Sequence, residues 1–290
     1  MQKIGLVLDE AADLPKEMIE KEQIETVSFK IDFQQLKDLT GNIYQRMREG
    51  EKRGIPTFIK TSQPSPKDFL NAFKKQLQRF ENVICITITS KLSGTYNSAV
   101  QAKSFLEEKL KNKTLIIDSL TGSAGEGLLA IKALKLAQKG EGFEEIVKKI
   151  RETVPKIHLV AMVEDPKWLE ACGRLSHLAA VWVRKMQQIG VRPLICVRKG
   201  KLWPAGIKTG VKDISTALFK EIELKTLEMR KKGRKINVAI THTDNLEGAE
   251  KLKQMIEKKL KDIKITFVNF TNSAIGGLAG PGALIISWEE

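Results

Sequence analysis

Short apolar runs alternate with amphipathic stretches through the first half of the chain. Strand-length runs occupy residues 4–8, 83–88 and 114–117, and apolar residues recur at helical spacing over about 65–80, 94–110, 125–138 and 143–154. Ser65, Pro66 and Asp68 mark a helix start, because Ser caps, Pro suits the first turn and a carboxylate suits the third position. This β-α-β order predicts a parallel sheet with helices on both faces.

The second half has a more mixed pattern. Strands are predicted over 157–163, 193–198, 201–207, 236–241, 263–270 and 283–288, and helices after 165–166 and over 176–188, 211–231 and 245–260. Pro155 ends the last helix of the first half. The predicted fold class is therefore α/β with two domains. Residues 1–155 form an N-terminal α/β domain around a parallel sheet, and residues 156–290 form a C-terminal mixed α/β domain.

The amino-acid composition limits the classes of function that are possible. The chain has 290 residues, 42% of them hydrophobic, and a formal net charge of +14, so it can build a core and is attracted to anionic surfaces. Its three Cys and three His have no spacing typical of a disulfide framework or a metal site, so we expect neither. No apolar run approaches the roughly 18–20 residues of a membrane span, and the opening run is too short for a signal peptide. We therefore expect a cytoplasmic protein.

Hydroxyl-rich loops are the first candidates for chemistry. Residues 89–96 (TSKLSGTY) follow a predicted strand, with Ser93 as the expected N-cap of the next helix, and residues 60–65 (KTSQPS) precede another helix. Ligands of an open α/β sheet bind beyond the carboxyl ends of its strands, and helix N-termini favour anions. Such loops suit a carboxylate or a phosphate. Ordinary N-capping by Ser and Thr is the alternative explanation.

Two later segments are also candidates. Residues 172–176 (CGRLS) open a helix, and the Arg174 guanidinium suits an anionic head group, although a surface arginine is the alternative. The apolar block at 179–183 indicates burial, a ligand wall or an interfacial face. Residues 276–283 (GGLAGPGA) predict a sharply turning backbone that closely approaches a ligand or a neighbouring strand. The sequence contains no Walker A, H-E-x-x-H or G-x-S-x-G motif.

Together these segments resemble the DegV family of bacterial lipid-binding proteins over nearly the whole chain. The resemblance is carried by residues 61–65 (TSQPS), 90–96 (SKLSGTY), 118–119 (DS) with Ser123, Gly125 and Gly127, 173–176 (GRLS) and 280–283 (GPGA), and by residues 8–15 at the start. Each motif is weak alone, but their order and intervals match those of the family.

The resemblance implies a carrier that binds a long-chain fatty acid between its domains, without cofactor, metal or catalytic residues. The hydroxyls of Thr61 and Ser93 would hold the carboxylate, Ser62, Gly94 and Thr95 would supply further donors, and an apolar tunnel would hold the tail. Some family members are the binding subunit of a fatty acid kinase. They present the acid to a separate ATP-binding subunit that forms the acyl phosphate. We therefore expect such a kinase partner.

The chain departs from the family pattern at three positions. Glu10 stands where the family usually has Ser, Cys172 where it has Gly, and Leu278 where it has a His of the head-group region. Because Leu278 lacks a polar atom, we expect Arg174 to take a larger share of the carboxylate contacts.

Two other classes of function are each compatible with one feature of the sequence. A Ser-dependent acyl hydrolase or transferase would use Ser93 or Ser62, but no His or Asp is recognisably placed as its base. A nucleic-acid binder would explain the charge, but aromatic residues make up only 6% and no binding-fold motif is present, so no nucleic-acid partner is expected. The charge instead predicts transient contact with an anionic membrane surface.

Overall fold

The computed structural model describes residues 2–173, 175–189, 191–211 and 213–290. The strands are β1 (Gln2–Asp9), β2 (Glu25–Val27), β3 (Lys30–Asp32), β4 (Lys60–Ser62), β5 (Phe80–Thr87), β6 (Thr114–Asp118), β7 (Ile157–Met162), β8 (Arg192–Arg198), β9 (Lys201–Lys208), β10 (Ile236–His242), β11 (Ile263–Phe270) and β12 (Leu284–Glu289). The helices are α1 (Lys16–Lys21), α2 (Ile43–Lys52), α3 (Pro66–Leu77), α4 (Thr95–Ser104), α5 (Glu108–Lys111), α6 (Ala124–Gln138), α7 (Phe143–Thr153), α8 (Lys167–Ala171), α9 (His177–Gln188), α10 (Ile214–Lys225), α11 (Leu227–Lys231), α12 (Leu246–Lys259) and α13 (Ser273–Ala279).

The first half builds a four-stranded parallel sheet in the order β2-β1-β5-β6. Its central strand β5 is apolar on both faces: Ile84 and Ile86 join the core around α6, whereas Val83 and Cys85 join the core beneath α3 and α4. Double coverage explains why this strand is an unbroken apolar run rather than an alternating one. The predicted parallel sheet with helices on both faces is confirmed.

The second half builds a six-stranded mixed sheet in the order β11-β10-β12-β7-β8-β9. β10 and β11 are parallel, and the other neighbouring pairs are antiparallel. The hairpin β8–β9 turns at Lys199 and Gly200, both at positive φ. The predicted mixed α/β fold of the second half is confirmed.

Helix α6 lies between the two sheets. Its core cluster unites Leu8 of β1 and Ile86 of β5 with Ala239 of β10 and Phe267 of β11. A helix with sheets on two sides must be apolar on most of its surface, which explains the sequence AGEGLLAIKALKLAQ. A Cβ at Gly127 would lie 2.6 Å from the Ala12 carbonyl oxygen and 2.8 Å from the Phe267 ring, so this glycine permits close approach on both sides.

Several elements differ from the sequence expectation. The helix expected over 94–110 breaks into α4 and α5, and the one expected over 211–231 breaks into α10 and α11 at Thr226, whose hydroxyl donates to the Ile222 carbonyl. The short elements β2, β3, β4, α1 and α2 and the glycine-rich α13 were not predicted. The strands of the two sheets lie on opposite sides of residue 155. The domain boundary there stays a prediction.

Candidate functional site

A cavity of about 330 Å³ lies between the two halves of the chain, within the range of small-molecule sites. Its polar side chains come from the first half: Thr61, Ser62, Gln63, Ser93, Thr121 and Ser123. The second half supplies apolar side chains from the face of its sheet and from α13: Leu159, Ala161, Val163, Ile195, Val197, Leu202, Ala274, Ile275, Leu278, Ala279, Ala283 and Ile285. The first half also adds the apolar side chains of Phe29, Ile88 and Leu92. A lining with polar side chains from one half and mainly apolar ones from the other suits an amphiphilic ligand.

The loop between β5 and α4 carries Ser93 to the cavity. Three contacts hold it: the Ser90 amide donates to Asp118 Oδ1 at 3.1 Å, the Ser93 amide donates to the Thr89 carbonyl at 3.2 Å, and the Thr89 hydroxyl donates to the Gly200 carbonyl at 3.1 Å. The last contact connects this loop to the β8–β9 turn of the other half.

The sequence predicts Ser93 as the N-cap of α4, but the helix begins one residue further along the chain. Gly94 is the N-cap, and Ser93 precedes it. The Ser93 oxygen accepts from the Thr95 amide at 3.3 Å and lies 2.7 Å from the Thr95 hydroxyl oxygen. Thr95 is buried and is not a lining residue of the cavity, so its contact with the site runs through Ser93.

Thr61 and Ser62 reach the cavity from the short strand β4, which pairs with β3 so that Thr61 lies opposite Ile31. The next residue, Gln63, packs its amide against Gly94: a Cβ at Gly94 would lie 2.5 Å from the Gln63 side-chain nitrogen. Gly94 therefore lets the β4 segment and the Ser93 loop approach each other, because any larger side chain would separate them.

Helix α13 forms an apolar wall. Leu278 lines the cavity and also packs beside a cluster that includes Tyr44, Ile59 and Trp168. The site residues predicted from the sequence thus divide into three groups. Thr61, Ser62, Ser93, Gly94 and Leu278 line one cavity, Thr95 lies behind it, and Arg174 lies outside the described residues.

Two buried carboxyl groups lie behind the polar loops. Asp9 accepts from the Ile88 amide at 2.8 Å and the Ala11 amide at 2.9 Å, and Asp13 accepts from the Ser123 hydroxyl at 2.6 Å. Burial raises the pKa of each carboxyl to about 7, because the donated hydrogen bonds offset the desolvation only in part. The sequence places both residues in the first family-like motif, but the contact of Asp13 with Asn272 of the second half could not be anticipated.

The described residues that line the cavity include no recognisable nucleophile–base pair. The three histidines, all within the described part of the chain, are not among its lining residues, and the buried His242 accepts from the Asn245 amide through Nδ1 at 3.1 Å. Among the described residues, no group of three His, Cys, Asp or Glu side chains is placed to hold a metal ion. No helix in the described ranges has the length and apolar character needed to cross a membrane.

Comparison with known proteins gives one consistent family. Residues 3–290 match the family model described as "Uncharacterised protein, DegV family". A DegV domain-containing protein of Caldanaerobacter subterraneus subsp. tengcongensis is 30% identical over 296 residues, covering 100% of both chains. A protein of Thermotoga maritima named "Fatty acid-binding protein" is 28% identical and covers 97% of this chain and 96% of its own.

The fold is also similar to a solved structure. A DegV family protein from Thermus thermophilus, whose structure is described as showing fatty acid binding, superposes with a TM-score of 0.82. It is 22% identical, and the alignment covers 99% of each chain. At this identity the likeness is one of fold.

Proposed function

The chain belongs to the DegV family, and from this premise we propose that it binds a long-chain fatty acid in the cavity between its two halves. The observation that carries the proposal is the cavity lining, in which the hydroxyls come from the first half and most of the apolar side chains from the second. The named function of the Thermotoga maritima relative supports it.

The energetics favour an acyl chain. Burial contributes about 0.8 kcal/mol per CH₂, so a tail of roughly 14–18 carbons would contribute on the order of 10 kcal/mol before the costs of association. A buried carboxylate without partners would cost several kcal/mol. In this proposal the hydroxyls of Thr61 and Ser93, with Ser62 and Gly94 beside them, offset that cost, and Leu278 contributes only apolar surface.

The second part of the proposal concerns what the carrier does with its ligand. We propose that it presents the bound acid to a separate ATP-binding kinase subunit for acyl phosphate formation. Family resemblance supports this partner. A Ser-dependent hydrolase would need a base beside Ser93. The Ser93 hydroxyl contacts the hydroxyl and the amide of Thr95, and neither of these groups is a base.

The test begins with the purified protein. Denaturation, extraction and mass spectrometry should recover about one fatty acid of roughly C14–C18 per chain. Thr61→Ala with Ser93→Ala should lose that cargo, because two hydrogen bonds to a charged group contribute about a hundredfold or more in affinity. The matched control, Thr40→Ala with Ser104→Ala, removes two exposed hydroxyls outside the cavity and should keep the cargo.

Each result has a clear meaning. A wild-type protein that carries no fatty acid, and binds none on titration, overturns the carrier proposal. Steady turnover of an acyl ester that disappears in Ser93→Ala favours the hydrolase instead. Phosphorylation of the bound acid by an added ATP-dependent kinase subunit tests the partner separately.

A further inference from the structure

The buried carboxyl group of Asp13 forms hydrogen bonds with two segments beside the cavity. Its Oδ2 accepts from the Ser123 hydroxyl at 2.6 Å, and Ser123 lines the cavity. Its Oδ1 accepts from the backbone amide and the side-chain amide of Asn272, each at 2.7 Å. Asn272 is the N-cap of α13, the helix that carries Leu278. One buried carboxyl group therefore contacts a polar lining residue of the cavity and the N-cap of the helix that forms its apolar wall.

Ser123 is held in an unusual conformation at the start of α6. Its φ is 49° and its ψ is −137°, a backbone conformation that L residues rarely adopt. Its oxygen lies 2.7 Å from the Thr241 hydroxyl oxygen in addition to its contact with Asp13. Two partners on opposite halves thus fix one hydroxyl group at the cavity wall.

The ionisation state of Asp13 decides where the Ser123 hydrogen points. An ionised carboxylate only accepts, so Ser123 must donate its single hydrogen to Asp13. A proton taken from solvent would bind to Oδ2, because Oδ1 already accepts two N–H groups. The new O–H then donates to the Ser123 oxygen, which has a second lone pair for Thr241. The Ser123 hydrogen is thereby released from Asp13 and is free to point to the Thr241 oxygen or into the cavity.

The surroundings of Asp13 allow both forms near neutral pH. Burial and the charge of Glu10 raise its pKa to about 7. Of the described residues, Asp9, Glu126 and Tyr44 also interact electrostatically with Asp13 across the elements packed around it, and each is neutral or negative. All of these groups therefore favour the protonated form over the ionised one.

We propose, on the premise of the fatty-acid binding proposed above, that protonation of Asp13 converts Ser123 into a hydrogen-bond donor for the carboxylate in the cavity. Asp13 is a positioning residue: it does not touch the ligand but determines the orientation of a hydroxyl that does. Binding of the fatty acid is then accompanied by uptake of one proton above neutral pH, and affinity falls as the pH rises.

Titration calorimetry with palmitate, between about pH 6 and pH 8.5 and in buffers of different ionisation enthalpy, tests this. Wild-type affinity should fall about tenfold across the range, the value of one hydrogen bond to a charged group, and proton uptake should appear on the alkaline side. Asp13→Asn imitates the protonated form, because its amide donates to Ser123 while its oxygen still accepts from Asn272. It should keep the acid-side affinity at every pH.

Two further variants complete the experiment. Ser123→Ala should bind weakly with a flat pH profile, and it supplies the decisive comparison if Asp13→Asn does not fold. Glu144→Gln removes an exposed carboxyl on α7 that lines no part of the cavity, so it should keep the wild-type profile. The ionisation of the palmitate carboxyl group affects the wild type and the three variants equally, so it does not change their comparison.

The two proposals fail in different ways. A wild-type protein that binds no palmitate at any pH overturns fatty-acid binding itself. A wild-type protein that binds palmitate with the same pH dependence as Asp13→Asn or Ser123→Ala overturns only the role of Asp13.

Discussion

At the scale of single residues, the side chain of Glu126 places a carboxyl group inside the core. Its side chain is fully buried in the first turn of α6, and neither carboxyl oxygen has a hydrogen-bond partner among the described residues. Burial is the largest cause that raises its pKa well above the ordinary value, and the charges of Asp9, Asp13 and Asp118 raise it further. The native state therefore retains this proton at pH values where the unfolded chain has lost it.

This difference gives a pH dependence of stability with a definite sign. A native pKa above the unfolded value means that stability falls as pH rises from the unfolded pKa towards the native one. Glu126→Gln keeps the shape and cannot ionise, so it should raise the free energy of unfolding by on the order of 1–3 kcal/mol at alkaline pH. Thermal unfolding should show its advantage over wild type growing from about pH 5 to pH 8.5.

The exposed Glu17→Gln is the matched control and should follow wild type at every pH. An advantage of Glu126→Gln that stays constant or shrinks with pH would contradict the buried-charge explanation.

At the scale of elements, α13 is defined by close approaches rather than by apolar periodicity. A Cβ at Gly276 would lie 1.8 Å from the Tyr44 hydroxyl oxygen, and one at Gly277 would lie 2.0 Å from Ile59 Cδ1. The Tyr44 hydroxyl itself donates to the Thr271 carbonyl at 2.5 Å, just before the helix. The glycines therefore let α13 rest on α2 while it presents Ile275 and Leu278 to the cavity.

Gly276→Ala should therefore destabilise the protein by about 1–3 kcal/mol, because the rigid Tyr44 ring must move and its hydrogen bond weakens. Chemical denaturation measures the loss. Gly142→Ala is the control: a Cβ there meets nothing within 4 Å, so its cost should stay below about 1 kcal/mol. Equal losses in the two variants would contradict the packing argument.

Elements with strong local patterns were predictable, and those determined by distant contacts were not. The Ser65 capping box before α3 and the apolar run of β5 depend only on residues close together in the sequence, and the structure contains both. The glycine-rich segment correctly predicted a close approach, but without periodic apolar residues it gave no indication of the helix α13. Short strands such as β4 depend on a partner elsewhere in the chain.

The same distinction holds for the site. Ser93 could be placed at the carboxyl end of a strand because that rule needs only the strand and its following loop. The contact between Asp13 and Asn272 joins residues 259 positions apart, and no local pattern encodes it. The position of Thr95 behind Ser93 likewise depends on where the helix begins.

At the scale of the whole molecule, we connect the net charge of +14 with basic residues that are exposed on the surface. Many lysines pair with nearby acids, as Lys231 does with Glu228 at 2.9 Å, but Lys232, Arg234 and Lys235 are exposed beside that helix end. We expect the protein to bind vesicles that contain phosphatidylglycerol, by electrostatics that salt weakens.

Vesicle co-sedimentation measures this binding. It should increase with anionic lipid, fall with added salt and weaken in the variant Lys232→Glu with Arg234→Glu. Zwitterionic vesicles are the control. Binding that is indifferent to lipid charge and to salt would contradict the electrostatic explanation.

The placement of α6 between the sheets has a thermodynamic consequence. Residues of both sheets share its core, so we expect the two halves to unfold as one unit. A ligand that fills the cavity at the N-terminal end of α6 contacts both halves at once. Its binding energy is then added to the single folding equilibrium, and the lifetime of the protein against unfolding and proteolysis becomes a measure of how much free ligand surrounds it.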